Sequence, residues 1–499
     1  MPRTRPLLID ALLDPARYPD RAAQVELVET HASWLLLAGE FAYKIKKPLT
    51  LPFLDYGTLD KRHACCTAEL RLNRRFAPGI YLTVVPITGR PDEPQFAGSG
   101  TIIEYALKMR RFAEAGRLDH VCARGELRPQ QISDLATTVA NFHAQAASAP
   151  PASAFGQPPQ VLAQALENFG ELQTLLPTDA EQEQERLARL AAWTQAEFDR
   201  LAPRWVARKA GGRIRECHGD LHLGNLVLID GRVTLFDCIE FSEDLRWIDV
   251  ASELAFTYID LLDQRQPGLA GWLINEWLSC SGDYDAAPVL RFYAVYRALV
   301  RAKVAAIRAA QAGDDPGQAR AYLALADRLV SPPPARLIIT HGLAGCGKSR
   351  AARRMLLSDP TATTLCLRSD VERKRLCGLA PASGSGSPLD GGIYTKDISE
   401  LTYQRLYALA QILLAAGWSV IVDAAFLERC RRQAFRALAE DAGLAFSVLA
   451  PQATPAQLRA RIRRRLEKGR DASEATLAVL EQQMHRVEAL SPAELDLLL

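Results

Sequence analysis

The stretch HGDLHLGNLVLIDGRVTLFDCIEF, residues 218–241, carries most of the information about the fold. Its apolar runs LVLID and VTLFD are separated by the dipeptide GR, a pattern that predicts strand, turn, strand. Such a hairpin would return Asp237 to the neighbourhood of Asn225. Because carboxylate and amide oxygens suit Mg²⁺, we expect both side chains to reach one magnesium ion.

Two simpler interpretations of this stretch compete with that one. His218 and His222 stand four residues apart, as two zinc ligands on one helix would. However, Gly219 and Gly224 interrupt any helix, and no third ligand follows. A histidine and an aspartate buried in a turn would explain single residues but not the whole set. Phosphoryl transfer requires a base aspartate, then an asparagine and a second aspartate for the metal, and the spacing HxDxxxxN from His218 matches it.

A kinase also needs a lysine for the ATP phosphates and a helical glutamate that holds this lysine. The strand pattern FAYKIKKP offers Lys44 and Lys46 on one face, two residues apart. The helix pattern CTAELRLNRRF offers Glu69. We prefer Lys44, because apolar residues flank it, although a solvated surface lysine would be the default at a strand end. No GxGxxG loop precedes it.

HGDLHLGN together with LFDCIEF resembles the aminoglycoside phosphotransferase and choline kinase branch of the protein-kinase-like fold. That resemblance implies an α+β domain, with a small strand-rich lobe followed by a helical lobe. It also implies that Asp220 is the catalytic base, that Asn225 and Asp237 hold magnesium, and that His218 is a structural brace. In this branch the glycine-rich loop is also missing.

A second motif, GLAGCGKS at residues 342–349, follows the apolar strand RLIIT and precedes a helical pattern. It matches GxxxxGK[ST], whose backbone amides and helix N-terminus cradle phosphates. In this motif Lys348 reaches the β and γ phosphates of ATP and Ser349 binds Mg²⁺. The predicted phosphate loop consists of Gly342, Leu343, Ala344, Gly345, Cys346 and Gly347.

Strand and helix patterns alternate after this motif, which predicts an α/β domain with a parallel sheet. Asp370 follows the strand LCLRS, and Asp423 ends the strand WSVIVD. The set resembles the shikimate, gluconate and polynucleotide kinase group. It implies that Asp370 is a base or substrate clamp and that Asp423 is the Walker B or a second substrate acid. A solvated helix face would equally explain each arginine of the implied lid, which are Arg461, Arg464, Arg465 and Arg470.

The chain has 499 residues and a formal net charge of +2, so two domains are expected. The segment SPPPAR, residues 331–336, predicts the boundary, with domains at 1–330 and 335–499. Ten cysteines without a CxxC pair favour a reducing compartment. The first residues have no apolar run, and no segment offers the ~20 apolar residues of a membrane span. We therefore expect a cytoplasmic protein without a signal peptide.

The whole chain resembles bacterial proteins in which an aminoglycoside phosphotransferase-like domain is fused to a P-loop domain. This resemblance implies a bifunctional enzyme that uses ATP and Mg²⁺ to phosphorylate hydroxyls of small molecules. An ATP-binding regulatory switch is one alternative. A nucleic-acid end kinase in the second domain, suggested by RSDVERKR and the basic lid, is another. The motifs identify neither acceptor nor the oligomeric state; a polycationic acceptor would need carboxylates such as Glu240, Glu243, Asp244 and Glu253.

Overall fold

The structure is a computed structural model, and it describes residues 5–20, 22–51, 54–176, 181–381, 383–387, 391–468 and 473–499. The chain begins with strands and few helices, in the order α1 (Leu7–Ala11), β1 (Val25–Glu29), β2 (Ser33–Ala38), β3 (Phe41–Lys46), β4 (Thr50–Leu51), β5 (Leu54–Asp55), α2 (Leu59–Asn73), β6 (Tyr81–Arg90), β7 (Glu93–Phe96), β8 (Ile102–Arg110) and α3 (Leu118–Ala123).

Helices dominate the next part of the chain. Its elements are α4 (Pro129–Gln145), α5 (Pro158–Leu175), α6 (Glu181–Arg200), α7 (Ala202–Ala210), β9 (Ile214–Glu216), β10 (Leu226–Ile229), β11 (Arg232–Leu235), β12 (Trp247–Asp249), α8 (Val250–Asp263), α9 (Pro267–Ser281), α10 (Ala287–Ala312) and α11 (Gly317–Val330).

Strands and helices alternate in the remainder. Its elements are β13 (Arg336–Thr340), α12 (Lys348–Leu357), β14 (Thr364–Arg368), α13 (Ser369–Leu376), α14 (Lys396–Ala415), β15 (Ser419–Asp423), α15 (Arg429–Asp441), β16 (Ala445–Leu449), α16 (Pro455–Lys468), α17 (Leu477–Arg486) and α18 (Pro492–Leu495). Among the described residues no helix is both long and apolar enough to cross a membrane.

The first sheet is antiparallel and has the strand order β1-β2-β3-β8-β6-β7. The sequence predicts strands in QVELVET and WLLLAGEFAYKIKK, residues 24–47, with a turn at Gly39, and the structure has three strands there. WLLLAGEFAYKIKK is split because Gly39 adopts a left-handed φ of 60°, which closes a hairpin between β2 and β3. Lys44 and Lys46 share one face of β3, as their spacing predicts.

The hairpin predicted from residues 226–237 is present, with Leu226 of β10 paired to Leu235 of β11. Its turn is one residue earlier than predicted, because Asp230 and Gly231 have the left-handed φ values of 50° and 75°. Two positive φ values in a two-residue loop match the twist of the flanking strands. The Phe236 amide donates to the Asn225 carbonyl at 3.0 Å, which returns the chain to Asn225 just before Asp237.

The last part of the chain contains a four-stranded parallel sheet of order β14-β15-β13-β16. Leu337, Ile338 and Ile339 of β13 and Val420 to Val422 of β15 are buried in it. Apolar side chains on both faces are expected of a parallel sheet. The carboxyl ends of β13, β14 and β15 lead into the phosphate loop, Asp370 and Asp423, so these segments meet at one edge of the sheet.

The chain divides into two compact units. The first comprises Met1–Gln131, Ala146–Gly156 and Lys209–Glu253, and it contains the antiparallel sheet and residues 218–241. The second comprises Ile132–Gln145, Gln157–Arg208 and Leu254–Leu499. Domains at 1–330 and 335–499 stay a prediction, since the proline-rich segment lies inside the second unit.

Within the second unit, α9 packs directly against the elements around the parallel sheet. A Cβ atom added to Gly268 would lie 2.0 Å from the Leu357 carbonyl oxygen. The Cys366 amide of the edge strand β14 donates to Asn275 Oδ1 at 2.8 Å. Further along the chain, Trp418 Nε1 donates to the Ala287 carbonyl at 3.0 Å. These contacts bind the helices of residues 254–330 to the P-loop part.

Candidate active sites

Lys44 is the centre of the first candidate site. Its Nζ donates to Glu69 Oε1 at 2.8 Å and to Asp237 Oδ1 at 2.6 Å. Burial acts to lower the pKa of the Lys44 ammonium, but the carboxylates of Asp237, Glu69 and Glu240 raise it above its ordinary value. The ammonium is therefore charged, and it joins β3, α2 and the segment after β11.

Lys46 lies on the same face but is buried, with 1% of its side chain exposed. Its Nζ donates to Glu69 Oε2 at 2.7 Å, to Tyr56 Oη at 3.2 Å, and to Glu240. Glu69 therefore gives one carboxylate oxygen to each lysine. Sequence reasoning missed Glu240 and Tyr56 as partners of Lys46. Glu240 stands three residues after Asp237, but nothing in the sequence indicates that it pairs with Lys46.

Asp220 and Asn225 are in direct contact. The Asn225 amide nitrogen donates to Asp220 Oδ2 at 3.1 Å and to the Asp220 carbonyl at 3.0 Å. Because the NH₂ group faces Asp220, the amide oxygen of Asn225 is the atom suited to a metal ion. His222 Nε2 lies 3.4 Å from Asp220 Oδ2, so the predicted base has two polar neighbours from its own loop.

His218 is fully buried and ties the loop to the hairpin. Its Nε2 donates to the Phe236 carbonyl at 2.8 Å, and its Nδ1 accepts the Asp220 amide at 3.4 Å. Burial lowers the pKa of the His218 imidazole, which favours the neutral ring that this donor and acceptor pattern needs. This environment matches the structural brace that the resemblance implies.

A buried carboxylate also holds this loop in place. Glu253 is fully buried and accepts the amides of His218 and of Gly219, the latter at 2.9 Å. Glu240 is likewise buried against Lys46. The suggestion that Glu240 and Glu253 line a pocket for a polycationic acceptor is therefore wrong, because both carboxylates hold the first site together.

Asp237 has a left-handed backbone, with φ of 62°, a region that aspartate tolerates better than most residues. Its amide donates to Tyr81 Oη at 2.9 Å, and the next amide, of Cys238, donates to Asn73 Oδ1 at 2.9 Å. These bonds fix the carboxylate next to Lys44, while 45% of the Asp237 side chain stays exposed.

The second candidate site surrounds the phosphate loop. Gly342, Gly345 and Gly347 have left-handed φ values of 134°, 83° and 108°, which explains the glycines of the motif. Lys348 is the first residue of α12, and its Nζ donates to the carbonyls of Gly342 and Leu343 at 2.8 and 2.9 Å. The rest of the loop is Ala344, whose amide donates to Gln483 Oε1 at 2.7 Å, and Cys346, which is buried.

Asp423 ends β15 and contacts the phosphate loop. Its carboxylate accepts a side-chain hydrogen bond from Ser349, and burial raises its pKa. Arg368 Nε lies 3.6 Å from Asp423 Oδ2. Asp370 lies in the first turn of α13, just after β14. Both aspartates line one cavity of about 810 Å³ together with Lys348 and Ser349.

The structure brings two of the predicted lid arginines to this cavity. Arg461 Nη1 donates to the carbonyls of Gly345 and Cys346 at 3.2 and 3.1 Å, and Arg465 Nη2 donates to Ala475 at 2.6 Å. Arg464 is exposed on α16 and does not line the cavity. Arg470 lies outside the described residues. Sequence reasoning missed other lining residues, for which no motif exists: Tyr394, Lys396, Arg431 and Gln483.

Two family models match separate parts of the chain. Residues 105–290 match the model of the phosphotransferase enzyme family, and residues 337–490 match that of an AAA domain. The chain is a fusion of these two domains. It is a phosphotransferase enzyme with the ATP-binding P-loop of a kinase, which confirms the resemblance and the fold class drawn from the motifs.

Relatives from two mycobacteria match this chain over nearly its whole length. Uncharacterized proteins of Mycobacterium tuberculosis and Mycobacterium bovis are 28% identical over 478 residues, which cover 94% of this chain and 93% of theirs. Among solved structures, a choline/ethanolamine kinase family protein from Mesorhizobium loti is 14% identical, covering 66% of this chain and 96% of its own, with a TM-score of 0.42. The APS kinase of Mycobacterium tuberculosis is 24% identical and covers 29% of this chain and 78% of its own, with a TM-score of 0.23.

Proposed function

We propose that this kinase is bifunctional, and that each site transfers the γ-phosphoryl group of ATP to a hydroxyl of a small-molecule acceptor. The observation that carries the proposal is that two separate sets of side chains are in contact. Lys44 joins Glu69 and Asp237 in one, and Ser349 joins Asp423 beside Lys348 in the other. Each set pairs a cation for phosphates with an acid for a metal ion.

In the first site, Asp220 accepts the proton of the acceptor hydroxyl. The hydroxyl oxygen then forms a bond to the γ-phosphorus while the bond to the β,γ-bridging oxygen breaks, and ADP leaves. Lys44 holds the phosphates, and Glu69 fixes its ammonium. The donor set of Asn225 Oδ1 and the Asp237 carboxylate fits Mg²⁺, which prefers oxygen ligands. Bound there, the ion would supply positive charge against the transferred phosphoryl group.

In the second site, the amides of residues 342–347 cradle the phosphates, and Lys348 turns from the loop carbonyls to the β and γ phosphates. Ser349 and Asp423 offer a hydroxyl and a carboxylate oxygen, a donor set that also fits Mg²⁺. Asp370 takes the acceptor proton or clamps the acceptor. Arg461 and Arg465 act as the lid, which their contacts at the cavity support.

A nucleic-acid end kinase is the second candidate for the P-loop site. Among the described residues, eight basic and four acidic side chains line its cavity, and this excess of positive charge favours a polyanionic acceptor. Such binding should weaken steeply as salt concentration rises, whereas binding of a neutral metabolite should not.

The test is a screen of hydroxyl-bearing metabolites and of oligonucleotides with a free 5′-hydroxyl, read as acceptor-dependent ADP release by the full chain. We expect one acceptor class to lose about 10²–10⁴-fold in rate in Asp220→Asn and another class in Asp370→Asn. Turnover that survives both substitutions would contradict the assigned bases. Wild-type protein that binds ATP but turns over no acceptor would favour a regulatory switch.

A further inference from the structure

We propose that a second cavity, separate from the one at the phosphate loop, binds an organic anion with an apolar body. The cavity lies in the second compact unit and measures about 500 Å³. Its walls come from α8, α10 and α11, from the proline-rich residues 331–333, and from residues 360–363, which precede β14. It shares none of its lining residues with the P-loop cavity, so the inference does not depend on the proposed function.

Most of the wall is apolar. Leu262, Leu290, Leu325 and Leu329 line it together with the indole of Trp418 and the ring of Tyr258. Small-molecule sites typically have about 300–1,000 Å³ and walls of this composition, with few polar groups that fix orientation. The wall therefore suits a ligand with a ring or a branched hydrocarbon body.

The charged side chains that line the cavity are all positive. Arg265, Arg291 and Arg328 line the cavity, and no carboxylate occurs among its described lining residues. Guanidinium groups bind carboxylates and phosphates through paired, charge-assisted hydrogen bonds. Three of them around one cavity indicate an anionic ligand.

Of these three arginines, Arg291 gives the strongest indication of an anionic ligand. It is half-buried on α10, and its Nη2 donates to the Gly417 carbonyl at 3.2 Å. Burial lowers the pKa of this guanidinium more than Tyr258 and Glu197 raise it. The nearby carboxylate of Glu197 is bonded to Arg200 instead. Burial of a charge without a counterion is costly, and an anion in the cavity would offset that cost.

A carboxylate and a phosphate would both satisfy these arginines, so the probes must separate them. We suggest calorimetric titration of the full chain with naphthoate, naphthyl phosphate and inorganic phosphate, with neutral naphthol as the matched probe that lacks charge. Saturating AMP-PNP and Mg²⁺ keep the probes out of the nucleotide sites. Arg291→Gln removes the half-buried charge, and Arg354→Gln on the exposed face of α12 is the control.

We expect at least one naphthyl anion to bind saturably, with affinity about ten- to a hundred-fold lower in Arg291→Gln. Arg354→Gln should bind as the unaltered chain does, and naphthol should bind far more weakly than the anion. The better naphthyl anion then identifies the charged group. No saturable binding of either anion, or equal binding by Arg291→Gln, would overturn the proposal.

A measurement on the unaltered protein covers the case in which Arg291→Gln does not fold. Phenylglyoxal modifies accessible arginines, and mass spectrometry maps the modified positions. The bound naphthyl anion should protect Arg265, Arg291 and Arg328, while Arg354 should react as before. Unchanged modification of all three arginines would also overturn the proposal.

Discussion

At the scale of single residues, Glu69 organises the first site. Its side chain is fully buried and would be costly without partners. Each of its oxygens is held by a different lysine, and the two lysines reach different acids, Asp237 and Glu240. Lys44 therefore contacts Asp237, the predicted metal ligand, whereas Lys46 stabilises the buried part of the site through Glu240.

This difference predicts distinct defects for the two lysines. Lys44→Ala removes the proposed phosphate contact but leaves Glu69 paired with Lys46, so the fold should survive while nucleotide affinity at this site falls about ten- to a hundred-fold. Lys46→Ala leaves Glu240 buried without its ammonium, which should cost about 3–5 kcal/mol of stability. Thermal unfolding and nucleotide titration separate the two effects. Equal melting temperatures for the two variants would contradict these roles.

His218 should make the first unit less stable in acid. Because its folded-state pKa lies below its unfolded value, the unfolded chain takes up a proton first as pH falls. Its contribution is present above the unfolded pKa of about 6.5 and is lost as pH falls below that value. Hydrogen exchange of the peptide around residues 214–241, corrected for intrinsic rates, should show protection declining from neutral pH to about pH 5.5. His218→Gln should show a shallower decline; an identical decline would refute this role.

The sequence predicts the residues that carry chemistry better than the residues that hold them. Asp220, Asn225 and Asp237 follow from spacing on a hairpin, and the structure pairs Asp220 with Asn225 and Asp237 with Lys44. Their catalytic roles stay predictions. Tyr56 and Gln483 follow from no spacing, because each meets its partner only through tertiary packing, 184 and 139 residues away in the chain.

At the scale of elements, apolar periodicity predicts strands and helices well, but the residues of the turns decide where each element ends. The runs RLIIT, TTLCLRS and SVIVDAA become β13, β14 and β15, because fully buried parallel strands need continuous apolar residues. WLLLAGEFAYKIKK is too long for one strand, and Gly39 divides it. The hairpin turn falls at Asp230 and Gly231, since a type I′ loop needs positive φ at both positions.

The start of α9 provides a test of packing. A Cβ at position 268 would overlap the Leu357 carbonyl, so Gly268→Ala must push α9 away from α12. We expect a loss of about 1–3 kcal/mol. Gly170 lies in α5 with no atom within 4 Å of an added Cβ, so Gly170→Ala should instead gain about 0.5–1 kcal/mol. Thermal unfolding of both variants measures the contrast. A Gly268→Ala protein as stable as the wild type would contradict the close contact.

At the scale of the whole molecule, family matches and compact units divide the chain differently. The two matched segments end at residue 290 and begin at residue 337, on either side of the proline-rich residues 331–334, but residues 254–330 pack with the P-loop part. The sequence could not predict this, because Gly268, Asn275 and Trp418 resemble ordinary helix and strand residues until their partners are known. A chain cut near Pro333 would lose the hydrogen bonds that Asn275 and Trp418 make, so functional experiments require the intact chain.

The central claim is that one chain carries two working nucleotide sites, and calorimetric titration with AMP-PNP and Mg²⁺ tests it most directly. We predict two nucleotides per intact chain. Lys348→Ala should bind one nucleotide at the same concentrations, because loss of its charge-assisted phosphate contact lowers affinity about ten- to a hundred-fold. A single nucleotide per intact chain, or an unchanged stoichiometry of two in Lys348→Ala, would contradict the account.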